Sequence, residues 1–237
     1  MLRLILLLAL LTAGACAPVY VPNVRNSPMF TKAKEFQLSG QIGNGIEGQS
    51  AFAVTDHFGL MANYLYINST DPEQEDNYIK HRFFEGGIGY FSNKEDSFFE
   101  LFAGYGRGKG TTFESYDIFG PQELAATGRY HRYFLQPGIG VNKETVQFSF
   151  TPRISMVDFY EFSTELMSSP IEEDPKFLFE PAIIGKANFA KNKLFAVFQA
   201  GFSLKMSDDV YFGVRTFHLA GGLGLRIGGT RNLVSRL

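Results

Sequence analysis

Apolar and polar residues alternate with a period of two along most of this chain, which is the pattern of β-strands whose two faces meet different surroundings. In the stretch 145–160, for example, Val146 and Phe148 lie on one face and Gln147 and Ser149 on the other. Short polar or glycine-containing links separate such stretches. The pattern predicts ten strands, at 35–43, 48–55, 58–68, 78–92, 97–107, 130–142, 145–160, 176–190, 194–206 and 210–228.

The links between these strands alternate between short and long. Four links are tight turns, at 55–59, 93–96, 142–144 and 191–193. Three of the links that alternate with them are longer, at 69–77, 108–129 and 163–175. Bacterial outer-membrane barrels have this organisation, with an even number of strands, tight periplasmic turns and longer external loops. We therefore predict an all-β fold, a closed antiparallel up-and-down transmembrane β-barrel of about ten strands over residues 35–228, with a C-terminal tail at 229–237.

The alternation does not say which face of the strands points inward. A lipid-anchored soluble barrel of the lipocalin type would place the apolar face inside and bind an apolar ligand there. A membrane barrel places that face toward lipid, and we favour this arrangement because glycine is frequent on the polar face, where side chains must fit a narrow lumen. Charged residues of the polar face would then fill the lumen as a salt-bridged network. The predicted members are Glu85, Glu100, Arg132, Arg153, Glu180, Lys186, Lys205 and Arg226.

The first residues have the organisation of a secretory signal. Arg3 precedes an apolar run at 4–11, which is shorter than the roughly 20 residues that a membrane-spanning helix needs. Ala13-Gly14-Ala15 then precedes Cys16 and resembles a bacterial lipobox, with alanine at position 13 where leucine is usual. We expect residues 1–15 to be a lipoprotein signal peptide and Cys16 to carry a covalent lipid. An ordinary cleavage site at the same bond is the alternative, and it would leave an exposed thiol.

Residues 16–34 differ from the rest of the chain. They contain Pro18, Pro22 and Pro28 and show no strand alternation. This composition predicts an extended periplasmic tether between the lipid and the barrel.

The composition agrees with a β-sheet protein. The chain has 25 Phe, 11 Tyr and 25 Gly, and aromatic residues are favoured in strands. No apolar run after residue 16 is long enough for a membrane-spanning helix, so a membrane span must consist of strands. The formal net charge of −2 argues against a nucleic-acid partner. No nucleotide-binding, zinc-protease or serine-hydrolase motif occurs, so we expect no cofactor apart from the lipid on Cys16, and no metal.

Four histidines are the candidates for catalysis. His81 and His131 are predicted near the outer ends of their strands, where outer-membrane proteases of the omptin type place a histidine beside an acid. The predicted strands are too short for such an enzyme and no paired acids stand out, so we expect no enzymatic activity. A surface hydrolase that uses His81 or His131 is the alternative, while His57 and His218 are expected to have structural roles.

Several short segments carry a resemblance to a known family. They are Cys16–Asn23, Pro28–Phe30, Glu35–Phe36, Ala53–Asn63 and Phe102–Gly106. In these segments the chain resembles small outer-membrane β-barrel lipoproteins of Bacteroidota, a largely uncharacterised family. The resemblance implies a barrel in the outer membrane and transfers no activity.

The sequence therefore predicts a lipid-anchored outer-membrane barrel with a structural or interaction role. Its expected partners are outer-membrane lipid and lipopolysaccharide. Other outer-membrane proteins are further candidates, with this chain as an accessory subunit of a larger outer-membrane complex.

Overall fold

The computed structural model describes residues 19–70, 77–116, 122–164, 174–206 and 214–228. These residues form one antiparallel sheet of thirteen strands. No helix among them is long and apolar enough to cross a membrane. The strands are β1 (Phe36–Ile42), β2 (Ile46–Ala53), β3 (Phe58–Thr70), β4 (Tyr78–Lys94), β5 (Ser97–Tyr116), β6 (Gln122–Asn142), β7 (Val146–Phe150), β8 (Ile154–Thr164), β9 (Lys176–Phe179), β10 (Ala182–Phe189), β11 (Leu194–Phe202), β12 (Leu204–Lys205) and β13 (Phe217–Ile227).

The sheet closes into a barrel of ten crossings. Strands β7 and β8 form one interrupted crossing, as do β9 and β10, and β11 and β12. Each crossing pairs with its neighbours in chain order, and β1 pairs with β13 from Phe36↔Ile227 to Ile42↔Gly221. The predicted closed, ten-stranded antiparallel barrel is confirmed.

Proline accounts for two of the interruptions. Pro152 separates β7 from β8, and Pro181 separates β9 from β10. Proline has no N–H group to donate to the sheet. The neighbouring residues keep the two crossings joined, because the Arg153 N–H donates to the Glu180 carbonyl (3.1 Å) and the Glu180 N–H donates to the Arg153 carbonyl (2.7 Å).

Strands β5 and β6 are much longer than the alternation predicts. They have 20 and 21 residues, and their pairing continues to Tyr116↔Gln122. Most of the predicted long link at 108–129 is therefore strand. A tilted strand needs only about 9–11 residues to cross a bilayer. Strands β5 and β6 are therefore about twice as long as a bilayer crossing requires. We expected no omptin-like enzyme partly because the predicted strands are short, and that reason does not hold for β5 and β6.

The two ends of the barrel differ. At one end, which we call the tight-turn end, the chain reverses at 54–57, 95–96, 143–145 and 190–193. At the other, which we call the long-strand end, β4, β5 and β6 extend beyond their neighbours.

The apolar face of the barrel points outward. On β7, Val146 and Phe148 are 52% and 45% exposed, whereas Gln147 and Ser149 are 1% and 0% exposed. The same alternation continues around the wall. The interior is lined by polar and charged side chains and glycine, together with apolar clusters such as that of Phe91, Phe102 and Phe134. The alternative of a soluble barrel with an apolar ligand site inside is wrong.

Candidate functional site

Residues 19–30 are buried inside the barrel, and we call them the luminal segment. At the long-strand end, Val19 is so close to Gly110 of β5 that a Cβ atom there would collide with the Val19 carbonyl oxygen. At the tight-turn end, the Phe30 carbonyl accepts a hydrogen bond from Asn93 Nδ2 (2.9 Å). The segment therefore runs through the whole lumen. The predicted periplasmic tether is wrong for these residues, because their polar groups pair with the interior wall instead of with water.

Charged side chains surround Asn23 at the centre of the lumen. Asn23 Nδ2 donates to Glu85 Oε1 (2.7 Å). Its Oδ1 accepts from Arg132 Nη2 (2.7 Å) and from Arg153 Nη2 (3.1 Å). Arg132 also contacts Glu85 directly, and Arg153 Nε lies 2.9 Å from Glu180 Oε2. All these side chains are fully buried, so each charge depends on its partner rather than on water.

Arg25 brings another buried guanidinium from the luminal segment itself. Its Nη2 lies 3.9 Å from Glu180 Oε1 and donates to the Phe202 carbonyl (3.1 Å). Its backbone N–H donates to Gln199 Oε1 (2.8 Å), and its carbonyl accepts from Gln199 Nε2 (2.9 Å). The side-chain amide of Gln199 thus pairs with both the N–H and the carbonyl of Arg25, as the backbone of a neighbouring strand would.

Glu47 of β2 holds Val24, the residue before Arg25 in the luminal segment. Both of its carboxylate oxygens accept from the backbone N–H of Val24, at 3.0 and 2.9 Å. Glu47 is buried like the other acids. The centre of the lumen therefore combines three arginines with three glutamates: Arg25, Arg132, Arg153, Glu47, Glu85 and Glu180.

A second polar group holds the segment near the tight-turn end. Glu100 accepts hydrogen bonds from the Ser27 hydroxyl and from the Met29 N–H (3.1 Å). Lys186 Nζ donates to the carbonyls of Ser27 (2.8 Å) and Pro28 (3.1 Å). These contacts fix the segment through three backbone groups and the Ser27 hydroxyl.

Aromatic rings enclose both ends of the segment. The Tyr20 ring lies 5.2 Å from the Tyr130 ring, and Tyr20 Oη accepts from Arg132 Nη1 (2.8 Å). The Phe30 ring lies 5.1 Å from that of Phe91. The charged centre is thus covered by apolar side chains on both sides, which strengthens its ion pairs by excluding water.

The structure places seven of the eight predicted lumen charges in the interior: Glu85, Glu100, Arg132, Arg153, Glu180, Lys186 and Arg226. Arg226 Nε lies 3.0 Å from Glu35 Oε1. The eighth, Lys205, is exposed. It belongs to β12, which follows the interruption at Ser203 and has both residues exposed. The predicted burial of Lys205 is not found: Lys205 pairs in register with the buried Leu178, but its own side chain is exposed in the short strand β12 and is not one of the buried charges.

The residues that sequence reasoning missed are Asn23, Arg25, Glu35 and Glu47. Asn23 and Arg25 lie in the segment predicted to be a tether. Glu47 precedes the predicted start of its strand at 48, while Glu35 begins the first predicted strand. A signal for Glu47 was present, since it alternates with Gln49 on the polar face of β2.

The histidines do not form a common site. His81 is buried in the lumen, with Nε2 2.9 Å from Tyr130 Oη. His131 lies on the outer surface, where its ring is 4.6 Å from that of Tyr160. The barrel wall separates the two side chains, so they cannot act on the same substrate. Within the described residues, no group of three His, Cys, Asp or Glu is arranged to hold a metal.

The luminal segment leaves little room in the lumen. One remaining cavity, of about 10 Å³, lies between Asn26, Gln37 and Lys186. Such a volume holds about one water molecule. The predicted signal peptide at 1–15, the predicted lipidation site Cys16 and the predicted tail at 229–237 lie outside the described residues.

The comparisons with known proteins add a likeness in shape. The sequence matches no protein-family model, and no curated protein is significantly similar to it. Among solved structures, the translocator domain of the autotransporter NalP from Neisseria meningitidis superposes with a TM-score of 0.46 and 11% sequence identity. The superposition covers 82% of this chain and 86% of that domain.

Proposed function

We propose that this protein is a lipid-anchored outer-membrane β-barrel that its own N-terminal segment closes to solutes, and that its role is structural or interactive rather than conductive. The observation that carries the proposal is the luminal segment, which is buried from residue 19 to residue 30 and bonded to the wall along its length.

The outer surface supports the location in a membrane. Apolar side chains cover it, and many of them are large, including Phe84, Ile88, Ile139 and Phe198. A water-soluble protein does not expose a continuous apolar belt of this kind. In an outer-membrane barrel such a belt faces lipid.

The course of the luminal segment supports a proposal for the side of the membrane on which a lipid on Cys16 would lie. Tight turns of outer-membrane barrels face the periplasm, so the long-strand end faces outward. Val19 lies at that end, and the carbonyl of Pro22 accepts from Asn44 Nδ2 (3.3 Å) in the turn between β1 and β2. Cys16 precedes Val19 by three residues. We therefore propose that its lipid enters the outer leaflet of the membrane rather than the periplasmic leaflet.

Ion conductance in planar bilayers tests the closed lumen. A specific protease site placed at residues 31–34, which join the luminal segment to β1, allows the segment to be cut from the folded barrel. We expect the intact protein to give no steady channels. After cleavage and extraction of the fragment with denaturant, followed by refolding of the bilayer-inserted barrel, channels should appear. Steady conductance by the intact protein would contradict the proposal.

A further inference from the structure

A groove of about 250 Å³ lies on the outer surface of the wall at the long-strand end. Its outward-facing lining side chains form two rows across β3, β4 and β5. One row is Tyr66↔Arg82↔Lys109, and the next is Asn68↔Lys80↔Thr111. The register of the three strands therefore brings three cations to one small surface.

The three cations of this groove repel one another. Arg82 and Lys109 are directly opposed, an arrangement that destabilises a sheet when both charges have the same sign. Within the part of the chain that the structure describes, none of Lys80, Arg82 and Lys109 forms an ion pair. Lys80 Nζ lies 4.6 Å from the centre of the Tyr78 ring, and Arg82 Cζ lies 5.6 Å from that of Tyr66.

Arg129 of β6, the next cation along the row of Arg82 and Lys109, has a carboxylate partner, whereas the three cations of the groove have none among the described residues. Lys109 pairs in register with Arg129 of β6. Arg129 Nη1 lies 2.9 Å from Glu161 Oε2, so that guanidinium has its own carboxylate. Among the described residues, the groove thus concentrates positive charge without a carboxylate partner, and a bound anion would neutralise it.

The position of the groove along the barrel axis, beside exposed aromatic rings, indicates that the anion would belong to a lipid headgroup. Phe84 of β4 lies on the outer face in the row next to that of Arg82 and Lys109, opposite Arg107, which donates to Tyr160 Oη (3.2 Å). Tyr105 of β5 lies one row further, and both Phe84 and Tyr105 are well exposed. Aromatic rings of membrane proteins lie at the level of the lipid headgroups. The groove would then meet headgroups rather than acyl chains.

We propose that this groove binds the phosphate of an anionic lipid headgroup in the leaflet around the long-strand end. Arg82 is suited to a bidentate contact with phosphate oxygens, and Lys80 and Lys109 supply two further charges. Tyr66, Asn68 and Thr111 add polar groups around the phosphate ester. The inference rests on the proposed function, since it requires the barrel to be in a membrane.

Thermal unfolding in neutral detergent tests this site, with short-chain phosphatidic acid as the probe and phosphatidylcholine of the same chain length as the reference. We expect phosphatidic acid to raise the unfolding temperature of the wild-type barrel. The triple variant Lys80→Gln, Arg82→Gln, Lys109→Gln should lose this increase, with an affinity at least about tenfold lower. The control Arg129→Gln should keep it, because that guanidinium is already paired with Glu161.

Three results would overturn the site. They are equal stabilisation by both lipids, full stabilisation by inorganic phosphate alone, and an unchanged response of the triple variant. Insertion into phosphatidylcholine vesicles, measured by flotation, separates the two proposals. A wild-type barrel that inserts but does not prefer phosphatidic acid contradicts the lipid site alone. A barrel that does not insert contradicts the membrane location as well.

Discussion

Arg25 is a charged residue of the luminal segment that is buried from bulk solvent, and its environment explains how that is possible. Its guanidinium donates to backbone carbonyls and lies near Glu180, while Arg153 contacts the other oxygen of the same carboxylate. A buried charge without a partner costs several kcal/mol. The central side chains of the lumen therefore stabilise the barrel only as a group, and removal of one member leaves another without its partner.

Replacement of Arg25 tests this dependence. Arg25→Ala leaves the Phe202 carbonyl unsatisfied and Glu180 with one cation fewer. We expect the free energy of unfolding to fall by about 3 kcal/mol, as for other broken buried pairs. Denaturant unfolding of the barrel in detergent micelles measures it. Lys205→Ala is the matched control, because Lys205 is exposed, and it should change stability by less than about 0.5 kcal/mol. Equal effects of the two variants would contradict the network.

At the scale of the elements, the period of two was sufficient to find the strands. Each strand lies between an apolar outside and a polar inside, so its residues must alternate. The luminal segment has the same surroundings on all sides, and its sequence therefore has no period. Its partners, such as Glu85 and Gln199, are distant in the sequence and are brought to it only by barrel closure. For this reason the wall and seven of its inward charges were predictable, while the occupant of the lumen was not.

The missed extension of β5 and β6 has a different cause. Where the missed part of β5 begins, its inward face is formed by Gly108 and Gly110, which give no polar or apolar signal. These glycines make room for larger neighbours. A Cβ on Gly108 would collide with the Tyr130 ring, and one on Gly110 would collide with Val19. The absence of side chains on these glycines of β5 therefore leaves the space that the Tyr130 ring and the luminal segment occupy.

Substitution of Gly110 tests that role. Gly110→Ala should push Val19 from its place and loosen the outer end of the luminal segment. We expect faster amide hydrogen exchange at residues 19–22, measured by mass spectrometry of the folded protein. Gly185→Ala on β10 is the control, because no heavy atom lies within 4 Å of its added Cβ. If exchange at residues 19–22 were the same in both variants, the close contact at Gly110 would have no role in seating the segment.

At the scale of the whole molecule, the proposed function makes the barrel, and not a lipid on Cys16, the main anchor. The apolar exterior of the ten crossings would be stabilised by lipid whether or not Cys16 is modified. The sequence predicted this closure from strand number and link length. Only the structure could show that the apolar face of the strands points outward, because the alternation of apolar and polar residues is the same in a soluble and a membrane barrel. We expect Cys16→Ser to remain in the outer-membrane fraction, and its recovery as a soluble periplasmic protein would contradict the barrel as anchor.

Whether the luminal segment crosses the lumen from one end to the other is tested most directly by electron spin resonance, which measures the distance between pairs of spin labels. In the Cys16→Ser background no other cysteine is present, so Pro18→Cys can be paired in turn with Asn44→Cys at the long-strand end and with Asn192→Cys at the tight-turn end. If the luminal segment crosses the lumen, position 18 lies much closer to position 44 than to position 192. A shorter distance from position 18 to position 192 would show that the segment leaves the barrel at the tight-turn end, and would contradict the closed lumen.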